Sequence, residues 1–231
     1  MAKGGGGAGT DGWGQFLAQY LTLPVVNMAV GGTSARSYTD QGRFTTIINQ
    51  VQAGDFVVIE FGHNDGSAGA VDNGNQDAVG NDTTTTATVV NSSGKSIVIH
   101  TFNFYIQNAV NSLKAKGAIP IVSSQTPDNI WTNGAIGGPP RFVGYAQLAG
   151  SRTGVTYIDH YAYVAQEFDS LGQTQTTTFF PNNQHLHTSP AGANVVAAAF
   201  VRGLSCSKST LASKISSAGK AVPGKRDTKP S

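Results

Sequence analysis

Four short blocks of the chain carry residue types that suit acyl transfer. These blocks are Gly31-Gly32-Thr33-Ser34, Gly62-His63-Asn64-Asp65, Ser123-Ser124-Gln125-Thr126 and His185-Leu186-His187-Thr188. A glycine N–H and an asparagine amide at neighbouring strand ends can donate hydrogen bonds to a developing oxyanion. A histidine just before a helix can act as a general base. Together these residues predict an acyl-transfer site.

Each block also has a structural interpretation that the sequence leaves open. Asn64 and Asp65 are common turn residues, and paired glycines let a strand end turn tightly. His187 stands before Thr-Ser-Pro, which is typical of a capped helix start. Ser34 and Ser37 are conceivable nucleophiles, but neither follows an obvious strained strand-to-helix turn of the kind that exposes such a serine.

The chain gives little support for a metal or cofactor site. His185 and His187 form an H-x-H pair, but no cysteine or carboxylate spacing completes a metal site. Gly4, Gly6 and Gly9 fit the dinucleotide pattern G-x-G-x-x-G, which has meaning only directly after a strand. No strand precedes them in the sequence, so we expect a flexible loop there, and neither a metal nor a cofactor.

Strands must position these blocks. Four apolar runs predict such strands, at residues 24–30, 55–62, 118–124 and 155–159. Each run is continuous rather than alternating, as expected for a parallel sheet covered on both faces. Helical periodicity marks residues 13–21, 43–51, 97–116, 141–149, 161–171 and 190–204. This alternation of strand and helix predicts a three-layer α/β/α sandwich with a parallel sheet.

The carboxyl ends of the strands are where such sheets bind ligands, and the first three blocks stand at those ends. The segment 66–96 follows the second predicted strand and is polar and rich in glycine and threonine. Loops of that length in a compact domain are usually functional or disordered. We therefore expect this segment to lie over the site as a loop.

Length and composition predict one domain over residues 1–208, followed by a disordered basic tail at 209–231. Six of the 15 basic residues but one of the 13 acidic residues lie between Lys208 and Ser231, which leaves nine basic and twelve acidic residues in the rest of the chain. This acidic balance makes a nucleic-acid partner unexpected. No run approaches the roughly 18 apolar residues of a membrane span.

The sequence carries mixed signals about export. Met1 is not followed by the basic and then apolar pattern of a signal peptide. Asn81-Asp82-Thr83 and Asn91-Ser92-Ser93 nevertheless match the glycosylation sequon, and both lie in the polar segment 66–96.

The four blocks, in this order, resemble those of the SGNH (GDSL-type) hydrolases. The glycine block is NMAVGGTSARSY, the Gly-x-Asn-Asp block is FGHNDG, the next is SSQTP with Trp131 after it, and the histidine block is HLHTSPAGA. Over nearly its whole length, the chain is similar to a branch of this family that removes acetyl groups from the pectin polysaccharide rhamnogalacturonan. The resemblance implies a flavodoxin-like sheet and a secreted serine-type carbohydrate esterase.

The resemblance also implies a role for individual residues. Gly32 and Asn64 match the oxyanion donors, His187 matches the base, and Arg36 and Asp65 match supporting positions. The family nucleophile is the serine of a Gly-Asp-Ser-Thr motif at the end of the first strand. Residues 1–3 align just after that motif, so we expect the nucleophile and its strand to be missing from this chain and its activity to be negligible.

Gln184 is a second departure from the family pattern. The family has Asp-x-x-His, whereas FFPNNQHLHTSP places Gln184 three residues before His187. A neutral amide can accept the imidazole N–H but offers no charge to the imidazolium. Our hypothesis is that Gln184 orients His187.

Three interpretations of the function remain open at this point. The first is an extracellular, monomeric acetylesterase that acts on acetylated polysaccharide or oligosaccharide, in which an upstream segment supplies the serine and a signal peptide. The second is a catalytically silent homologue that binds carbohydrate. The third is a fragment that lacks an interior strand and is not stable, because that loss exceeds the 5–15 kcal/mol that typically stabilises a domain.

Overall fold

The computed structural model of the chain describes residues 1–66 and 69–222. The chain divides into two compact units. The first comprises Met1–Gly31, Thr126–Pro139 and Ile158–Ser231, and the second comprises Gly32–Gln125 and Pro140–Tyr157. The single domain predicted over residues 1–208 stays a prediction.

The elements alternate between helix and strand along much of the chain. The strands are β1 (Phe56–Glu60), β2 (Thr86–Val90), β3 (Ser96–His100), β4 (Ile119–Ser123), β5 (Trp131–Thr132), β6 (Ala135–Ile136) and β7 (Thr156–Ile158). The α-helices are α1 (Ala35–Asp40), α2 (Arg43–Gln50), α3 (Phe102–Ala115), α4 (Arg141–Thr153), α5 (His160–Thr177), α6 (Pro190–Ser205) and α7 (Ser217–Lys220). Short 3₁₀ helices span Trp13–Gln15, Leu17–Tyr20, Pro181–Asn183 and Thr210–Lys214.

The sheet of the second unit has the order β1-β4-β7. β1 and β4 are parallel, in a register that runs from Phe56 opposite Ile119 to Glu60 opposite Ser123. These three strands fall within the predicted runs 55–62, 118–124 and 155–159, and the α/β architecture is confirmed. The carboxyl end of β1 delivers the chain directly into the Gly62–Asp65 block.

Helix α3 buries the apolar stripe that its periodicity predicts. Ile106, Val110 and Leu113 are each at most 1% exposed. The helix packs on α4 and β4, and Phe102 and Phe142 bring their rings within 5.3 Å of each other. This apolar packing covers the sheet of the second unit and fixes the strand ends that carry its polar blocks.

The core of the first unit is centred on Trp13, which is 3% exposed. Its ring stacks on Phe200 at 4.7 Å and meets the edge of His160 at 4.9 Å. The predicted helix over residues 13–21 is instead two 3₁₀ helices, Trp13–Gln15 and Leu17–Tyr20. Tertiary contacts of its aromatic residues therefore outweigh the helical pattern in this segment.

The predicted strand at residues 24–30 is wrong for the described structure, in which these residues form no strand. Within the segment, Asn27 Nδ2 donates to the carbonyl of Met1 at 2.9 Å, and Asn27 Oδ1 accepts the N–H of Ala29 at 3.1 Å. An asparagine side chain that binds nearby backbone groups offers them an alternative to a sheet ladder.

The segment 66–96 and the predicted helix over 97–116 both need correction. β2 lies inside the predicted loop and pairs antiparallel with β3, from Thr86 opposite His100 to Val90 opposite Ser96. Residues 96–100 are thus strand rather than helix, and α3 begins only after Thr101, whose side chain accepts the N–H of Phe104. Ile97 is half-buried and Ile99 is 2% exposed, whereas Val98 between them is 60% exposed, and this alternation of burial fits a half-buried strand.

The predicted disordered tail is also wrong for residues 209–222. Thr210–Lys214 and Ser217–Lys220 are helical, and Leu211 and Ile215 are 2% and 5% exposed. Two buried apolar side chains anchor this segment although it lacks a repeating apolar pattern. Residues 223–231, which complete the predicted tail, lie outside the described residues.

Candidate active site

In the first unit, Gln184 holds His187 in one orientation. The Gln184 Oε1 and His187 Nδ1 atoms are 2.6 Å apart. Because an amide oxygen only accepts hydrogen bonds, Nδ1 carries the proton, and the lone pair of Nε2 is left to act as a base. The contact predicted between these two residues is therefore present, and it selects the tautomer that general-base chemistry requires.

Hydrogen bonds also hold the backbone that follows His187. Asp11 N–H donates to the carbonyl of Thr188 at 2.8 Å, and the Thr188 hydroxyl returns a bond to the carbonyl of Asp11 at 3.0 Å. The next residue, Ser189, caps α6 by accepting the N–H of Gly192 at 3.3 Å. These bonds fix the position of the His187 backbone just before α6.

The glycine-rich loop at the amino terminus packs against His187. A Cβ atom added to Gly6 would lie 2.3 Å from His187 Cγ, whereas one added to Gly5 would lie 3.8 Å from His187 Cδ2. Only a residue without a side chain fits at position 6 while the imidazole keeps its place. The loop therefore packs against the His187 side chain in this unit. Within the loop, the Gly6 N–H donates to the Thr10 hydroxyl at 3.0 Å.

In the second unit, Gly32 adopts a backbone conformation that favours glycine. Its φ is +75°, in the left-handed region. The side chain of Asn75 donates from Nδ2 to the Gly32 carbonyl at 3.1 Å, which fixes the orientation of the peptide that follows Gly32. The turn predicted at this block is present, and a residue of the 66–96 segment holds it.

Asn64 lies exposed in the turn after β1. The turn needs Gly62, because a Cβ at that position would lie 2.2 Å from Gln125 Oε1 and because its φ is +145°. The Asp65 N–H closes the turn by donating to the Gly62 carbonyl at 3.2 Å. An exposed amide on a short closed turn is available to donate to a bound ligand.

Asp65 joins the two donor-bearing turns of this unit. Its Oδ1 accepts the N–H of Ala35 at 2.8 Å, just beyond the Gly32 block. Asp65 and Asp77 are 8% and 4% exposed, and their two carboxyl groups are buried next to each other. Burial raises the pKa of Asp65 to about 7. Burial and the neighbouring Asp65 charge raise the pKa of Asp77 to about 9.

Arg36 ties the 72–77 segment to α1. Its guanidinium, 3% exposed, binds Asp72 through both Nη atoms at 2.9 and 3.3 Å. It also donates to the Gln76 carbonyl at 3.2 Å and to Asp40 at 3.2 Å. The bond from Arg36 lowers the pKa of Asp72 below its ordinary value. Arg36 is therefore a structural support for the turns that carry Gly32 and Asn64.

The buried Asp65–Asp77 pair is expected to make stability fall as the pH rises from 5 to 9. Both pKa values lie above the unfolded value of 3.8, so in this range the folded state holds more protons than the unfolded state. Asp77→Asn removes one titrating group and keeps a hydrogen-bond donor. We expect the free energy of unfolding of this variant to exceed that of the parent by about 1–3 kcal/mol at pH 9. Each kcal/mol corresponds to a rise in Tm of about 2–4 °C.

Thermal unfolding of parent and variant at pH 5, 7 and 9 measures this difference. Asp55→Asn, at an exposed carboxylate, controls for the loss of one negative charge. The expectation is wrong if the parent and Asp77→Asn show the same dependence of Tm on pH.

The two serines considered as replacement nucleophiles are occupied with helix capping. Ser34 Oγ accepts the N–H of Ser37 at 3.0 Å, and Ser37 Oγ accepts the N–H of Ser34 at 2.8 Å. Ser34 is fully buried and Ser37 is 7% exposed. This capping box stabilises the start of α1 and leaves neither hydroxyl in the exposed position that a nucleophile needs.

Among the described residues, no group of three or more His, Cys, Asp or Glu side chains lies close enough to bind a metal ion. Across residues 1–66 and 69–222, no helix has both the length and the apolar character needed to cross a bilayer.

The structure thus places Gln184 with His187 in the first unit, and Gly32, Arg36, Asn64 and Asp65 in the second. Reasoning from the sequence missed Asp77 and Asn75, because both stand in a polar segment where burial is not visible. The Asp, Asn and Gln residues around 72–77 give no signal of burial, because ordinary turns favour Asp and Asn as well. It also missed the contact between Gly6 and His187, which joins distant parts of the chain.

Comparison with known proteins gives consistent matches. The family model for GDSL-like lipases and acylhydrolases matches residues 1–200. A rhamnogalacturonan acetylesterase of Emericella nidulans is 47% identical over 199 residues, which cover 86% of this chain and 80% of that protein. A probable rhamnogalacturonan acetylesterase of Bacillus subtilis is 22% identical over 200 residues, covering 84% of this chain and 82% of the other.

A solved structure supports the same fold. The crystal structure of a Bacillus subtilis protein has a TM-score of 0.66 to this chain at 22% identity, and the match covers 85% of this chain and 50% of that one. The family match extends over most of the residues described here and includes every block singled out from the sequence. The chain therefore belongs to the GDSL-like lipase/acylhydrolase family.

Proposed function

We propose that this protein is a carbohydrate esterase that removes acetyl groups from rhamnogalacturonan, outside the cell and as a monomer. The observation that carries the proposal is the 2.6 Å contact between Gln184 Oε1 and His187 Nδ1, which directs the Nδ1 proton toward Gln184, so that Nε2 is the nitrogen that acts as the base in the neutral imidazole. The substrate is proposed from the 47% identity with the Emericella nidulans rhamnogalacturonan acetylesterase.

The reaction proposed is acyl transfer through a serine. His187 Nε2 takes the proton of the serine hydroxyl as its oxygen attacks the acetyl carbonyl. The Gly32 N–H and the Asn64 amide donate to the oxyanion of the tetrahedral intermediate. When the ester C–O bond breaks, His187 returns the proton to the sugar oxygen. Water then attacks the acetyl-enzyme with the same help, and acetate leaves.

The nucleophile is proposed to come from residues that precede Met1 in a longer form of the protein. The motif Gly-Asp-Ser-Thr of the resembled family has no counterpart within residues 1–231. The transcript upstream of Met1 is expected to encode a strand ending in this motif, behind a signal peptide. A stop codon in that frame would contradict this part of the proposal.

Acetate release tests the activity directly. The extended protein, incubated with acetylated rhamnogalacturonan, is expected to release acetate without shortening the polysaccharide, at a kcat within the roughly 1–10³ s⁻¹ of most enzymes. The chain of residues 1–231 is the matched control and is expected to release none. An extended protein that releases no acetate would overturn the esterase proposal.

One observation favours a second candidate, a silent carbohydrate-binding homologue. Gln184 offers His187 no negative charge, and a site without that charge is a poor catalyst. This candidate predicts that rhamnogalacturonan raises the Tm of the extended protein while no acetate appears.

A further inference from the structure

An exposed apolar surface lies in the first unit, on the segment that leads into the β5–β6 hairpin. Ile130 is 53% exposed, and Trp131, which begins β5, is half-buried. Leu186, next to His187, is 38% exposed. We call Ile130, Trp131 and Leu186 the indole platform. The Asn129 N–H donates to the His185 carbonyl at 2.8 Å and so joins the segment before Ile130 to the one that carries Leu186. Contiguous exposed apolar surface commonly marks a binding site.

Hydrogen bonds hold the indole of Trp131 in place. Its Nε1–H donates to Asn129 Oδ1 at 2.7 Å, and Asn129 is 6% exposed. The polar edge of the ring is therefore satisfied within the protein, so a ligand would meet its apolar face. The Asn129 amide also reaches the Thr177 hydroxyl of α5 at 3.4 Å. A binding surface that is already ordered loses less entropy on binding.

The hairpin that carries Trp131 is anchored as well. Trp131 pairs with Ile136 across a turn in which Asn133 and Gly134 have positive φ, as a two-residue hairpin turn requires. The Ile136 N–H donates to Asp169 Oδ1 at 2.7 Å, and the Tyr161 hydroxyl donates to the Gly137 carbonyl. These contacts with α5 make the hairpin a rigid support.

The platform is connected to the catalytic histidine proposed above. Asn129 N–H donates to the His185 carbonyl at 2.8 Å, and the ring of His185 contacts the Asn129 carbonyl through Nδ1 at 3.1 Å. His185 stands two residues before His187 in the same held turn. Asn129 is therefore hydrogen-bonded both to Trp131 and to the segment that positions the base.

The charges around the platform restrict which ligand suits it. Asp128, Asp159 and Asp169 lie close enough to the Tyr161 hydroxyl to raise its pKa, after the larger effect of burial, to about 12. The Tyr161 hydroxyl is itself bonded to the hairpin at Gly137. Three carboxylates near the hairpin disfavour an acidic sugar and favour a neutral ring.

We propose that the indole platform is a subsite for a neutral pyranose ring of the polysaccharide, whose apolar C–H face stacks on Trp131 beside the reacting acetyl ester. The proposal rests on the proposed function in taking the ligand to be carbohydrate. In a chain that alternates rhamnose with galacturonate, the ring it selects is the rhamnose, whose methyl group suits Ile130 and Leu186.

Tryptophan fluorescence tests this subsite without requiring turnover. The chain has two tryptophans, and Trp13 is 3% exposed in the core, so a change in emission on adding ligand reports Trp131. The probes are a deacetylated rhamnogalacturonan oligosaccharide and an oligogalacturonide of equal length. We expect the first to change the emission and the second to leave it unchanged. No response to the first probe, or an equal response to both, would overturn the proposal.

Calorimetry on variants gives an independent measurement. Trp131→Ala is expected to weaken binding of the rhamnogalacturonan oligosaccharide at least about tenfold, and Trp131→Phe, which keeps an aromatic face, less than that. Val26→Ala, at a side chain 79% exposed outside the platform, is the matched control and should bind as the parent does. Circular dichroism confirms that each variant is folded. Equal affinity of Trp131→Phe, Trp131→Ala and the parent would contradict the subsite.

The extended protein separates this inference from the proposed function. There, Trp131→Ala is expected to lower kcat/KM more on acetylated rhamnogalacturonan than on 4-nitrophenyl acetate, which has no sugar ring. Sugar binding at Trp131 without any acetate release would contradict the esterase and leave the subsite supported. Acetate release that Trp131→Ala does not alter would overturn the subsite alone.

Discussion

Replacing Gln184 by aspartate is expected to raise the kcat of the extended, serine-containing protein by up to about four orders of magnitude. The Gln184 amide already orients His187, because its oxygen lies 2.6 Å from Nδ1. What it lacks is a negative charge to stabilise the imidazolium that forms when His187 takes the serine proton. In a serine protease, loss of the corresponding carboxylate lowers kcat by about 10⁴. Steady-state acetate release from parent and variant measures the gain.

The matched control for this variant is Asn183→Asp. It adds the same charge one residue away, at an exposed position with a φ of 54°, which asparagine and aspartate tolerate. Only the variant at position 184 is expected to gain activity, because only that side chain contacts the imidazole. If the parent already turns over as fast as Gln184→Asp, then the charge is dispensable or is supplied by another residue.

The sequence predicted those parts of the fold in which a local pattern determines the structure. The continuous apolar runs of β1 and β4 are strands that pair in parallel; residues 120–123 of β4 are buried, and β1 buries Ile59 with its other residues half-buried. Helix α3 buries the stripe of Ile106, Val110 and Leu113. Residues 24–30 have the same apolar character, but a strand also needs a partner that pairs with its backbone. That partner is not encoded in the segment, and Asn27 supplies local bonds instead.

The sequence likewise predicted some residues of the candidate site and missed others. The types of Gly32, Asn64 and His187 suggested their chemistry from the sequence, and their roles remain predictions. The bond from His187 to Gln184 could be foreseen because Gln184 stands three positions before His187, where the resembled family has the aspartate of Asp-x-x-His. Asp77 could not, because its burial beside Asp65 depends on how residues 69–78 fold. Such contacts between segments distant in sequence leave no local pattern.

His187→Ala is expected to lower the kcat of the extended protein by about 10²–10⁴-fold, the usual contribution of a general acid–base group. The same substitution also tests why Gln184 matters. If the carboxylate of Gln184→Asp acts only by stabilising the imidazolium, it has nothing to act on once the imidazole is gone. In the His187→Ala background we therefore expect Gln184→Asp to give no gain in kcat, so the two effects are strongly non-additive.

Four proteins measured side by side complete this double-mutant cycle: the parent, each single variant and the double variant. Acetate release is the readout, and Asn183→Asp in the His187→Ala background controls for charge alone. A gain from Gln184→Asp that persists without His187 would show that the carboxylate acts on the substrate or on water directly. Full activity of His187→Ala would instead remove the histidine from the mechanism, and with it the reason for the hydrogen bond from Gln184.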